Sequence, residues 1–196
     1  MRVYNASSLR DFSLLLLFGF LLVAFGTSGS SSMARAHASN QGRDMDQASI
    51  TNEVRHQLVM LPFYTLFDNL EYKVQGSTVT LMGQVVRPDL KDDAASAVKR
   101  VKGVETVDNQ IKVLPLSPMD NQIRRAEYRA IYSQANLQMY AMRSVPPIHI
   151  IVDHGHVTLE GVVARQADKD AAGIAANGVP NVFSVTNSLR VENAGK

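Results

Sequence analysis

The sequence predicts an α+β protein built from two tandem αββαβ units, each a three-stranded mixed sheet covered on one face by two helices. Three observations lead there: an internal duplication, paired alternating segments joined at two-residue glycine turns, and an alanine-rich helical stretch after each pair. The duplication sets VTLMGQVVRPDLKDDAASAVKRVKGVETVDNQIKV (residues 79–113) against VTLEGVVARQADKDAAGIAANGVPNVFSVTNSLRV (residues 157–191). They align without a gap at an offset of about 78, with about 15 identities in about 35 positions. Shared pairs include Gly83/Gly161, Val85/Val163, Arg87/Arg165, Val107/Val185 and Asn109/Asn187.

Each unit opens on a helical stretch. Ile50, Val54 and Leu58 recur at helical spacing in the first, and Ile123, Ala126, Ala130 and Ile131 in the second. A hairpin follows. Glu71–Val74 and Thr78–Val85 flank Gly76-Ser77, which suits a type II′ turn; Ile148–Val152 and His156–Val163 flank His154-Gly155, which resembles Asn-Gly. Next comes a helix. Pro88 suits its first turn, Asp89, Asp92 and Asp93 its positive N-terminal end, and Gly103 its stop. Ala94, Ala97, Val98 and Val101 share one face, as do Ala172, Ala175, Ala176 and Val179 in the sister helix. Each unit then closes on a third alternating strand.

A His154-Gly155 turn fixes the pairing of the second hairpin: Asp153 with His156, Val152 with Val157, Ile151 with Thr158, Ile150 with Leu159 and His149 with Glu160. Ile150, Val152, Val157 and Leu159 then face the core. His149 and His156 fall on the outer face, their backbones about 13 Å apart, which is too far for one metal ion. The first unit has no histidine at the matching positions, so the fold does not require the imidazoles. They read as surface residues, and no metal or cofactor site is expected.

The remaining composition narrows the functional classes. Without cysteine there is no disulfide, zinc–thiolate site, thiol chemistry or lipid-modified N-terminal cysteine. Residues 1–38 read as a signal peptide: an apolar run from Ser13 to Gly26, then ARAHA, with cleavage expected after Ala38 and an uncleaved N-terminal anchor as the alternative. Residues 39–45 read as a flexible segment, 46–115 as the first domain, 116–119 as a linker and 120–193 as the second domain. Cleavage takes the formal charge from +2 to about 0, so nucleic acid is not an expected partner. The chain is expected to be exported to the periplasm or cell envelope.

The repeated V-T-L-x-G-x-V, the alanine-rich helix and the ending V-x-x-V-x-N-x-[IL]-x-V resemble the BON domain, over residues of about 46–115 and 118–193. That resemblance implies the αββαβ fold, an envelope location, attachment to phospholipid surfaces and no catalysis. The family glycines carry over to Gly83 and Gly161, where glycine permits a strand bend or close packing. The second unit departs from the pattern in the long stretch from Tyr132 to Pro147.

Two functional classes follow. In the first, the tandem domains attach to a phospholipid membrane surface or an envelope partner and support envelope integrity or stress tolerance. Arg124, Arg125 and Arg129 lie on one helix with Tyr128 and Tyr132, a composition suited to anionic headgroups and the membrane interface. Phe63, Tyr64, Leu66, Phe67, Met139, Tyr140 and Met142 are candidate apolar contacts. In the second, the chain is an assembly module that self-associates or docks onto envelope proteins without binding lipid. No nucleophile elbow, phosphate loop or HExxH accompanies these features, and Asp168 and Asp170 read as helix-start carboxylates, so an enzyme is not expected.

Overall fold

The computed structural model describes residues 3–4 and 47–192. The expected signal peptide, its cleavage point and the segment 39–45 lie outside the described residues, apart from Val3–Tyr4. In chain order, the first unit comprises β1 (Val3–Tyr4), α1 (residues 47–59), β2 (Asn69–Gln75), β3 (Thr78–Val85), α2 (Pro88–Lys99), β4 (Thr106–Asn109) and β5 (Lys112–Val113). The second comprises α3 (Pro118–Tyr132), the single turn α4 (Gln138–Ala141), β6 (Ile148–Asp153), β7 (His156–Val163), α5 (Gln166–Asn177), β8 (Ser184–Asn187) and β9 (Arg190–Val191).

Both units share one topology. An antiparallel hairpin is followed by a helix that returns the chain to run parallel to the second hairpin strand, giving the orders β1-β2-β3-β4 and β6-β7-β8. β5 and β9 continue the third strand of each sheet past a break. At that break, Asn109 donates to Lys91 O (3.0 Å) and accepts from Ile111 N–H (3.2 Å). Asn187 does the same with Lys169 O (2.8 Å) and Leu189 N–H (3.3 Å). A side chain carrying both a donor and an acceptor thus stitches strand to helix in both copies, which accounts physically for the repeated asparagine.

The second hairpin has the expected register, from Asp153↔His156 to His149↔Glu160. Its inner residues Ile150, Val152, Val157 and Leu159 are at most 1% exposed. The two turns differ. Only Gly76 has positive φ in the first, whereas His154 and Gly155 both do in the second. The second turn is held by Asp120, a buried residue of α3 whose carboxylate accepts from His154 N–H (3.1 Å) and Gly155 N–H (2.8 Å). Ser117 Oγ caps the helix and accepts from Asp120 N–H (3.1 Å). Asp120→Ala is expected to destabilise the protein by about 2 kcal/mol, because two turn amides lose a charged acceptor; the urea midpoint measures this.

The outer face of the second hairpin is not a solvent face, which corrects the surface reading of His149. His149 is 5% exposed. Its Nδ1 lies 2.6 Å from Asp68 O, and its ring is 5.7 Å from that of Tyr64. Burial pushes its pKa down to about 4, so the ring is neutral at pH 7. The cover is the connection between α1 and β2. Leu66 O accepts from Ile150 N–H at 2.8 Å, and Leu66 and Phe67 pack on the second unit's core. Asp68 anchors this connection, accepting from Val86 N–H (2.8 Å), Thr65 N–H (3.0 Å) and Thr65 Oγ (2.8 Å). Lys112 and Asp153 add an ion pair between units at 2.8 Å. His154 and His156 are exposed as expected; His154 Nδ1 contacts Asp153 (2.6 Å) and His156 Nδ1 contacts Ser184 (2.7 Å).

Candidate functional site

Helix α3 begins at Pro118 and buries Asp120, Ile123, Arg124, Glu127, Ile131 and Tyr132. These positions recur every three or four residues, so the opposite side carries Arg125 and Arg129, with Tyr128 at the edge beside Tyr132. The connection of the first unit lies alongside. Together they form a groove of about 610 Å³, with Leu66, Phe67, Tyr128, Ala141 and Pro146 as its apolar surface and Arg125, Arg129 and Arg143 as its charge. No carboxylate lines it, and among the described residues none forms a salt bridge with these three arginines. A neighbouring recess of about 240 Å³ brings Phe63, Phe67 and Arg87 up to Arg125. There the Arg87 guanidinium sits 4.3 Å from the Phe63 ring centre while pairing with Asp89.

The residues singled out from sequence divide into two groups. Arg125, Arg129 and Tyr128 are exposed on the groove, Phe63 is 62% exposed beside it, and Met139 is 61% exposed on α4. Arg124, Tyr132 and Tyr140 are buried instead. Arg124 donates to Val152 O (2.7 Å) and Asn121 Oδ1 (2.7 Å), and burial lowers its pKa. Tyr132 donates to Ile148 O (2.9 Å) and stacks at 5.1 Å on Tyr128. Tyr140 donates to Asp168 Oδ2 (2.8 Å) and accepts from Ala164 N–H (2.8 Å). These three residues close the second unit, and Asp168 serves Tyr140 and Asn136. Tyr64 is half-buried against His149. Burial and the nearby Asp68 carboxylate raise its pKa.

Sequence reading missed Arg143 and Pro146, which sit in the irregular stretch before β6, where no periodicity marks a face. Another recess, of about 900 Å³, lies between α1, the first turn and the end of α2. It sets Glu53 among Arg100 and Lys102 and has no aromatic wall, so it lacks both the uniform charge and the amphipathic surface of the groove.

The groove can do two things chemically. Three guanidiniums offer planar, multidentate donors to phosphate or carboxylate oxygens, and the aromatic and proline surfaces accept apolar chain next to them. Gly83 and Gly161 stand elsewhere, opposite Leu70 and Ile148, where they let neighbouring strands approach closely.

Comparison with known proteins gives a consistent picture. A family model described as the BON domain matches residues 46–115 and 133–193. The chain is 30% identical to osmotically-inducible protein Y of Escherichia coli (strain K12) over 154 residues, 77% of this chain and 75% of that protein. It is 30% identical to the outer membrane lipoprotein DolP of Haemophilus influenzae over 113 residues, 57% of this chain and 58% of that one. Among solved structures, the C-terminal domain of CdsD, a structural protein of the type III secretion system of Chlamydia trachomatis, aligns with 72% of this chain and 96% of its own. Its 11% identity and TM-score of 0.26 are too low to bear on this molecule.

Proposed function

We propose, since the chain belongs to the BON domain family, that it is a non-catalytic cell-envelope protein whose groove on α3 attaches it to phospholipid surfaces. The observation that carries this reading is the set of three arginines, paired with no carboxylate among the described residues, on an aromatic and apolar surface. Guanidiniums engage headgroup phosphates, while Tyr128, Phe63 and Met139 reach the boundary between headgroup and acyl chain. Among the described residues no helix is long and apolar enough to cross a membrane, so attachment by a surface groove suits this part of the chain. The names of the relatives, one osmotically inducible and one an outer membrane lipoprotein, support an envelope role under osmotic stress. The non-catalytic reading is supported by two of the shifted groups, Glu127 and His149, which are moved chiefly by burial and do not line the groove.

Co-sedimentation with vesicles tests the proposal. The protein is expected to bind phosphatidylglycerol-containing vesicles more tightly than phosphatidylcholine vesicles, with affinity falling as salt rises. Arg125→Ala with Arg129→Ala is expected to weaken binding by about 30-fold, at about 1 kcal/mol per cation near an anionic surface. Unchanged binding by the double variant would move the site elsewhere. No vesicle binding at low salt, with a defined complex recovered by envelope cross-linking, would favour the alternative of docking onto an envelope protein.

A further inference from the structure

We propose that the outer edge of β2 is a strand-accepting site, opened when the N-terminal segment is removed, and that an extended segment of another polypeptide then pairs with it in parallel. The inference is independent of the groove and comes from comparing the two units at one backbone position.

Gln75 and Thr78 flank a two-residue turn and pair with each other. Antiparallel alternation then turns the peptide groups of Val74, Tyr72 and Leu70 away from β3, towards the sheet edge. In the duplication Tyr72 corresponds to Ile150. Ile150 N–H points away from β7 in the same manner, and Leu66 O, from outside the unit, accepts it at 2.8 Å. At Tyr72 the same edge is taken by β1, in parallel, with Val3↔Tyr72 and Tyr4↔Lys73. So the equivalent edge is filled twice, each time by a segment foreign to the sheet.

The two fillings differ in permanence. Leu66 precedes β2 by three residues and is held in place by the anchored Asp68. Val3–Tyr4 belongs to the segment whose removal the sequence leads us to expect, and among the described residues no other backbone pairs with β2 on that side. Once that segment leaves, the outward groups of Tyr72 and Val74 have no partner among the described backbone, while Leu70 N–H meets the Tyr64 hydroxyl; an edge so exposed recruits extended chain. The ligand chemistry follows from β1: a short extended segment with β-branched and aromatic residues, running parallel to β2. A second copy related by a two-fold axis would bring β2 against β2 antiparallel, a different ladder.

The test uses a fluorescein-labelled peptide of residues 1–12 (MRVYNASSLRDF) with the full chain and the processed chain, residues 39–196. The peptide is expected to bind the processed chain, and the full chain about tenfold more weakly. Val74→Pro removes one outward N–H without breaking a bond to β3 and is expected to weaken binding about tenfold. In the unmutated processed chain, the peptide should slow amide exchange at Tyr72 and Val74 while leaving Glu71 and Lys73 unchanged. That readout stands even where the proline variant unfolds. Equal binding to both chains, no binding to the processed chain, exchange unchanged at Tyr72 and Val74, or a processed-chain dimer that peptide does not dissociate would each overturn the proposal.

Discussion

Gly161→Ala is expected to destabilise the second unit by at least about 3 kcal/mol, the upper range for a non-glycine residue forced into a disallowed backbone region. Gly161 has φ +125°, outside the left-handed helical basin that other residues occasionally visit. A Cβ there would lie 1.9 Å from Pro147 O, so the strand pair would also have to separate. Gly83 repeats the geometry, with φ +107° and Asn69 O at 2.1 Å. Gly76 is the control. Its φ of +61° lies within the left-handed basin and no atom approaches an added Cβ within 4 Å, so Gly76→Ala should cost only about 1 kcal/mol. Urea unfolding of the two variants separates close approach from loop preference. Equal losses would sink close approach as the reason for the family glycines.

The second large effect concerns Glu127. It is completely buried, and among the described residues neither carboxyl oxygen has a hydrogen-bond partner and Arg124 Nε also lacks one. Burial raises the Glu127 pKa from 4.5 to about 8, so the folded protein holds a proton that the unfolded chain releases between those values. Stability contributed by this group is fully present below pH 4.5 and is lost as pH rises to about 8, on the order of 1.4 kcal/mol per pH unit. His149 acts in the opposite sense: its depressed pKa, about 4 against 6.5, costs stability as pH falls from 6.5 to 4. The two slopes oppose each other between pH 4.5 and 6.5, so the net decline should appear between pH 6.5 and 8. Glu127→Met is expected to abolish that decline and to raise stability at pH 8 by about 1–3 kcal/mol, since an apolar side chain replaces an unpaired polar one. A variant that keeps the wild-type pH slope would assign the decline to another group.

The duplication, both hairpins and the helix after each were legible because each rests on a local pattern: alternation, a glycine turn, or alanines at helical spacing. The register of the second hairpin followed from His154-Gly155 alone. The buried side of α3 was harder to read. Its apolar residues suggested a face through Ile123, Ala126, Ala130 and Ile131, but Asp120, Arg124 and Glu127 are buried with Ile123 and Ile131, and hydropathy does not mark polar residues that face inward. Arg124 therefore looked like a surface cation, while only Arg125 and Arg129, on the other side of the helix, are exposed. His149 was misplaced for a non-local reason. Its cover, Tyr64 to Asp68, lies about 80 residues earlier, and nothing in its apolar pattern says which unit it packs against. The same segment supplies Leu66 and Phe67 to the groove, so the candidate site depends on the contact between units rather than on either repeat alone.

The chain has no tryptophan, so one introduced at the groove reports on it without interference. Tyr128→Trp places the indole between Arg125 and Arg129. Addition of phosphatidylglycerol-containing vesicles is expected to shift its emission to the blue and to make it quenchable by lipids brominated near the headgroup. Phe183→Trp, at a residue 77% exposed beside His156 and outside the groove lining, provides the reference and should respond less. A response at position 183 with none at position 128 would contradict attachment through the α3 groove.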